Sequence, residues 1–213
     1  MRSRRLPRAP RFVPAALALA VSVAAPAAAQ LAWETPRLIG PESPEGFGVH
    51  WVRAGTLPGD GDAAVVTWAV PGLPGGVSLR GGAGEGVGGE ISGFGGVDVR
   101  APLVSSGPGQ PFDLAWTTGA GLGAGENVLI TLPMGVSGGR SWSSGSVWLA
   151  PYVSVGVALD VWLGDVEGQD EFVASPSLDL GLDLALDAGR RVVLRAATSL
   201  GDRQAIAVGA MVR

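Results

Sequence analysis

Between Val147 and Leu163 every odd position is apolar: Val147, Leu149, Pro151, Val153, Val155, Val157, Leu159, Val161 and Leu163. The even positions are Trp148, Ala150, Tyr152, Ser154, Gly156, Ala158, Asp160 and Trp162. Alternate side chains of a strand point to opposite faces, so this stretch predicts one strand with a continuous apolar stripe. Its other face is small and polar, with aromatics at the ends. The run far exceeds the ~5–6 residues of an ordinary strand.

The same period recurs along the chain. Phe172, Ala174, Pro176, Leu178, Leu180, Leu182, Leu184 and Leu186 alternate with Ser175, Ser177, Asp179, Gly181, Asp183, Ala185 and Asp187. Val192, Leu194, Ala196 and Leu200 continue the pattern, followed by Ile206, Val208, Ala210 and Val212. Weaker alternation covers Phe47–Val52, Ala63–Val70, Gly76–Gly84, Ile91–Leu103, Phe112–Gly123 and Val128–Ser137. Helical spacing is absent, and 35 glycines oppose helices. Turn-forming residues separate these runs at nine places, from Leu57–Gly61 to Gly201-Asp202. Nine connections predict ten antiparallel strands. Eight is the alternative, because Gly81–Gly96 is hard to divide.

The opening residues predict a secretory signal at 1–29. Arg2, Arg4, Arg5, Arg8 and Arg11 precede an uncharged stretch from Phe12 to Ala25, and Ala27-Ala28-Ala29 fits a cleavage site before Gln30. Residues 30–45 read as a periplasmic lead-in containing Pro36, Pro41 and Pro44, and 46–213 as the strand domain. Signal removal leaves ten of fifteen Arg and all nineteen acids, which moves the net charge from −4 to −9. Such acidity argues against nucleic-acid partners. The chain has no Cys, which excludes disulfides and thiolate chemistry. After Gln30 no stretch approaches the ~18 apolar residues of a membrane helix.

A soluble sandwich also uses period-two strands, but its outer face is commonly rich in charge. Here only 16% of residues are charged, and the less apolar face is mostly Gly, Ala and Ser. Small residues suit the crowded inside of a narrow barrel, with the apolar stripe facing lipid. The expected fold is all-β: an antiparallel up-and-down transmembrane β-barrel of about ten strands. A soluble exported β-sandwich binding module is the alternative.

On Leu132-Pro133-Met134-Gly135, Leu149-Ala150-Pro151-Tyr152-Val153 and the long run after it, the chain from Gly46 to Arg213 resembles small bacterial outer-membrane β-barrel proteins. The resemblance implies an eight- to ten-stranded barrel assembled from the periplasm into the outer membrane, with lipid and the barrel-assembly machinery as partners. The expected role is structural, adhesive or that of a narrow pore, with a barrel-embedded lipid-modifying enzyme as an alternative, and no cofactor is expected. Such chains usually end on an aromatic residue, whereas this one ends Met211-Val212-Arg213.

Arg80, Asp98, Arg100, Asp160, Asp179, Asp183, Asp187 and Arg195 fall on the expected interior face. They either line a narrow pore or pair and fill the lumen. The second is favoured, because a barrel this small leaves little room for water and unpaired interior charge is costly. His50 is the only histidine. Some small outer-membrane barrels modify lipid with a His–Ser pair, but no spacing places a Ser beside His50, so an interior polar role is preferred. The acids Asp165, Glu167, Asp170 and Glu171 read as a solvated loop rather than a cation site, and Gly59-Asp60-Gly61-Asp62 reads as a turn. Trp68, Trp116, Trp142, Trp148, Tyr152 and Trp162 are candidates for an interfacial aromatic girdle, although the parity of Trp148 and Trp162 points them inward.

Overall fold

The computed structural model describes residues 36–54, 61–72, 76–85, 91–125, 128–163, 172–201 and 204–213. The expected signal, and the acidic residues 165, 167, 170 and 171, lie outside the described residues. No helix among the described residues is long and apolar enough to cross a membrane.

The described residues form eleven strands. They are β1 (Gly46–Ala54), β2 (Gly61–Ala69), β3 (Val77–Glu85), β4 (Ile91–Val104), β5 (Asp113–Ala124) and β6 (Val128–Gly139), then β7 (Trp142–Ser144), β8 (Val147–Leu163), β9 (Phe172–Ala185), β10 (Val192–Gly201) and β11 (Ala205–Val212). Each pairs antiparallel with its sequence neighbour from β1 to β6 and from β7 to β11. Two further pairings close the ring: β1 with β11, from Phe47↔Val212 to Ala54↔Ala205, and β6 with β8, from Val128↔Leu163 to Gly139↔Tyr152. The result is a closed barrel of ten strands, with β7 as an appendage. Closure pairs both edges of each of the ten wall strands, the condition for a sheet to stand in lipid.

The expected ten strands are present in the barrel wall, and the eight-strand alternative is excluded. The long connection at Gly138–Gly145 resolves into β7, which folds back on the start of β8 through Gly145 at φ 60°. It lengthens β8 beyond the barrel rim without adding a wall strand. The β9–β10 turn has a different device. Arg190 sits at φ 49°, its N–H donating to the Asp187 carbonyl, and the Asp187 carboxylate accepts from the Arg191 N–H at 3.0 Å.

Burial follows parity. In β1 the pattern alternates from Phe47 to Ala54, with Phe47, Val49 and Trp51 outside and His50 and Val52 inside. In β8 Val153 and Val155 face out, and Trp148, Tyr152, Ser154, Asp160 and Trp162 face in. The outer surface is apolar all round, and Val155 is 61% exposed. A soluble sandwich is excluded by this arrangement, since the apolar stripes cover the outside of one closed sheet.

Of the six aromatic girdle candidates, Trp68, Trp116 and Trp142 stand on the outside. Trp148, Tyr152 and Trp162 are buried in the lumen. Trp68 pairs across the strands with Phe47, and both lie at the end where β1 begins and β11 stops.

Candidate functional site

The lumen is filled in layers. At the end where β1 stops and β11 starts lies an apolar layer: Val52, Val65, Phe94, Leu129 and Trp162 together with Leu38, set among small alanines. Toward the opposite end, Trp148, Ala150, Ala185, Val193 and Met211 form a second apolar cluster. Arg190 stacks over the Trp148 ring at 4.6 Å. Between the clusters lies a charged waist.

Six of the eight charges expected on the interior face are buried there: Arg80, Asp98, Asp160, Asp179, Asp183 and Arg195. Arg195 and Asp183 pair through two hydrogen bonds, Nε to Oδ1 and Nη2 to Oδ2, each 2.6 Å. They sit opposite one another in the β9–β10 register, which fixes this fork geometry. Arg80 reaches Asp98 at 3.1 Å from the adjacent strand. Thr131 donates to Asp160 across the β6–β8 pairing.

Arg100 is only half-buried, and its guanidinium is turned toward the chain inside the barrel. Asp187 departs from expectation. It has the parity of Asp179 and Asp183, but β9 stops at Ala185, so Asp187 belongs to the turn and accepts backbone N–H groups there.

The largest feature that the alternation did not indicate is the segment 36–45. It runs into the lumen from the end at which β1 begins, as a strap without secondary structure. Tyr152 donates its hydroxyl to the Arg37 carbonyl at 2.9 Å. Arg195 donates to the Leu38 carbonyl and, at 2.9 Å, to the Ser43 hydroxyl. Arg100 donates to the carbonyls of Gly40, at 2.7 Å, and Ser43, at 3.2 Å. Arg37 donates to the Thr117 hydroxyl and lies 3.9 Å from Asp179. The side chain of Leu38 joins the apolar layer.

A sequence signal for this seat exists. Tyr152 has glycine on both neighbouring strands, Gly139 and Gly181. A Cβ at Gly181 would run into the tyrosine ring. An inward aromatic flanked by inward glycines marks a ring lying flat across the wall.

His50 is 1% exposed. Its Nε2 lies 3.1 Å from the Thr67 hydroxyl, and its ring fits between Gly48 and Gly209. Its hydrogen-bonding neighbour is thus a threonine on the next strand; no serine hydrogen-bonds to it among the described residues. No cluster of His, Cys, Asp and Glu among the described residues could hold a metal ion.

No protein-family model matches the chain, and no curated protein matches it. Among solved structures it is similar to the KdgM porin, at 11% identity and a TM-score of 0.35, over 78% of this chain and 98% of the porin. The closed sheet, apolar outside and carrying a charged waist between two apolar clusters within, is the architecture expected of an outer-membrane β-barrel.

Proposed function

We propose that the protein is a small outer-membrane β-barrel whose lumen is closed at rest, so that it serves the membrane as a structural element rather than as a standing channel. One observation carries this reading: the charged waist is paired internally and the strap occupies the space that an ion would need. The predicted signal, the lipid-compatible exterior and the return of both ends of the sheet to one side support insertion from the periplasm. Membrane lipid and the barrel-assembly machinery are the partners this reading requires.

Two measurements test it. The outer-membrane fraction is run unboiled and boiled in SDS, and a closed barrel shifts in apparent size on boiling. The purified mature protein is then placed in planar bilayers, where long silence is expected. Recovery in the soluble periplasm without a shift would overturn the membrane reading. Steady conductance would overturn the closed lumen.

A further inference from the structure

The strap is held differently from the wall around it. Every wall strand is tied to two neighbours by a backbone ladder. The strap has one backbone–backbone hydrogen bond among the described residues, from Ser43 N to Gly40 O within itself. All its links to the barrel run through wall side chains, chiefly Arg100, Tyr152 and Arg195, and through Arg37.

Those links can be undone without opening the sheet. Arg195 keeps its Asp183 partner with or without the strap. Tyr152 and Arg100 donate to strap carbonyls, groups that water replaces directly.

The junction with the barrel has the form of a hinge. Gly46 has φ 139°, a backbone region that side-chain-bearing residues rarely adopt, and a Cβ there would strike the Val212 carbonyl. Glu45 beside it is exposed. A cavity already opens between the strap and the wall at this end, bounded by Ile39, Pro44, Val70, Val77 and Arg100.

Resting on the barrel reading above, we propose that residues 36–45 are a displaceable plug. Seated, the strap closes the lumen; withdrawn about Gly46, it leaves a narrow path for ions through the barrel. Withdrawal removes Leu38 from the apolar layer and Arg37 from the waist, and leaves the wall pairs Arg195–Asp183 and Arg80–Asp98 in place.

The test compares three proteins in planar bilayers: the mature barrel, a barrel begun at Pro44, and Arg100→Gln in the mature chain. The mature barrel is expected to be closed nearly throughout. The shortened barrel is expected to show steady, discrete conductance. Arg100→Gln, which loses the grip on two strap carbonyls, should raise the open fraction by about tenfold, a change of ~1.4 kcal/mol.

A thiol assay reads the strap itself. The chain has no cysteine, so Leu38→Cys carries the sole thiol, and it should react with a bulky maleimide far more slowly than a cysteine at exposed Glu45. Equal rates would show that the strap is not seated and would overturn the plug. A shortened barrel that keeps its gel shift yet stays silent would also overturn the plug, while leaving the closed-barrel reading intact. If the shortened chain fails to fold, Arg100→Gln decides alone, and an unchanged open fraction rejects the proposal. Steady conductance of the mature barrel would instead remove the closed-lumen reading on which the plug rests.

Discussion

The two fillings of the lumen, charged waist and apolar layer, occupy the same kind of space by opposite means. The waist holds Arg195 with Asp183 and Arg80 with Asp98, each pair placed by register so that the partner stands within reach, and Asp179, whose cation Arg37 comes from the strap. The layer holds Phe94, Leu129, Trp162, Val52 and Val65 and needs no partner, only volume. A buried charge is tolerable through its pairing, whereas a buried hydrocarbon is favourable by itself. Substitutions in the two zones should therefore fail in different ways.

The largest effect is expected in the waist. Arg195→Leu leaves the Asp183 carboxylate, 1% exposed, without its ion-pair partner. Breaking one side of such a pair costs about 3–5 kcal/mol. Urea unfolding in detergent micelles measures it, and Asp183→Leu added to Arg195→Leu should recover most of the loss. A double variant as unstable as the single would show that volume, and not charge, governs the waist.

In the apolar layer Leu129→Ala removes hydrocarbon from a site that is 5% exposed. A cavity of this kind costs about 2–4 kcal/mol. No second substitution of a charged residue should rescue it. A loss under ~1 kcal/mol would mean that the layer is loosely packed and collapses around the gap.

The contrast also explains what the sequence made legible. The faces were legible because the period of a strand is two, and a barrel keeps that period for its whole height. Val147–Leu163 and Phe172–Leu186 show it plainly. Partners inside the waist were partly legible: Asp183 and Arg195 share a parity, but their register depends on the turn at Asp187–Arg191. That turn also took Asp187 out of the interior set, since parity counts only while the strand lasts. The strap was not legible. Residues 36–45 have no period, and their seat is assembled from Thr117, Tyr152, Asp179 and Arg195 on separate strands. Only the glycines beside Tyr152 leave a trace of it in the sequence.

The smallest effect is expected where the strap meets the rim. Glu42 lies in a hollow bordered by Gly139, Arg140 and Tyr152. Burial raises its pKa, and the neighbouring Asp113 carboxyl raises it further, against an opposing hydrogen bond from Ser141. A carboxyl whose folded value lies above its unfolded value disfavours folding once ionised. The penalty is absent below the unfolded value of 4.5, grows as pH rises through the folded value, and is complete above it. Glu42→Gln should therefore stabilise the barrel slightly at about pH 7, with the difference from the parent vanishing near about pH 4. Partial exposure of Glu42 keeps this gain to a fraction of what a fully buried carboxyl would give. Urea midpoints of the two proteins across that range decide it. A Gln variant less stable than the parent at neutral pH would mean that the Ser141 hydrogen bond outweighs burial, and that the rim grips the strap through charge, as the waist does.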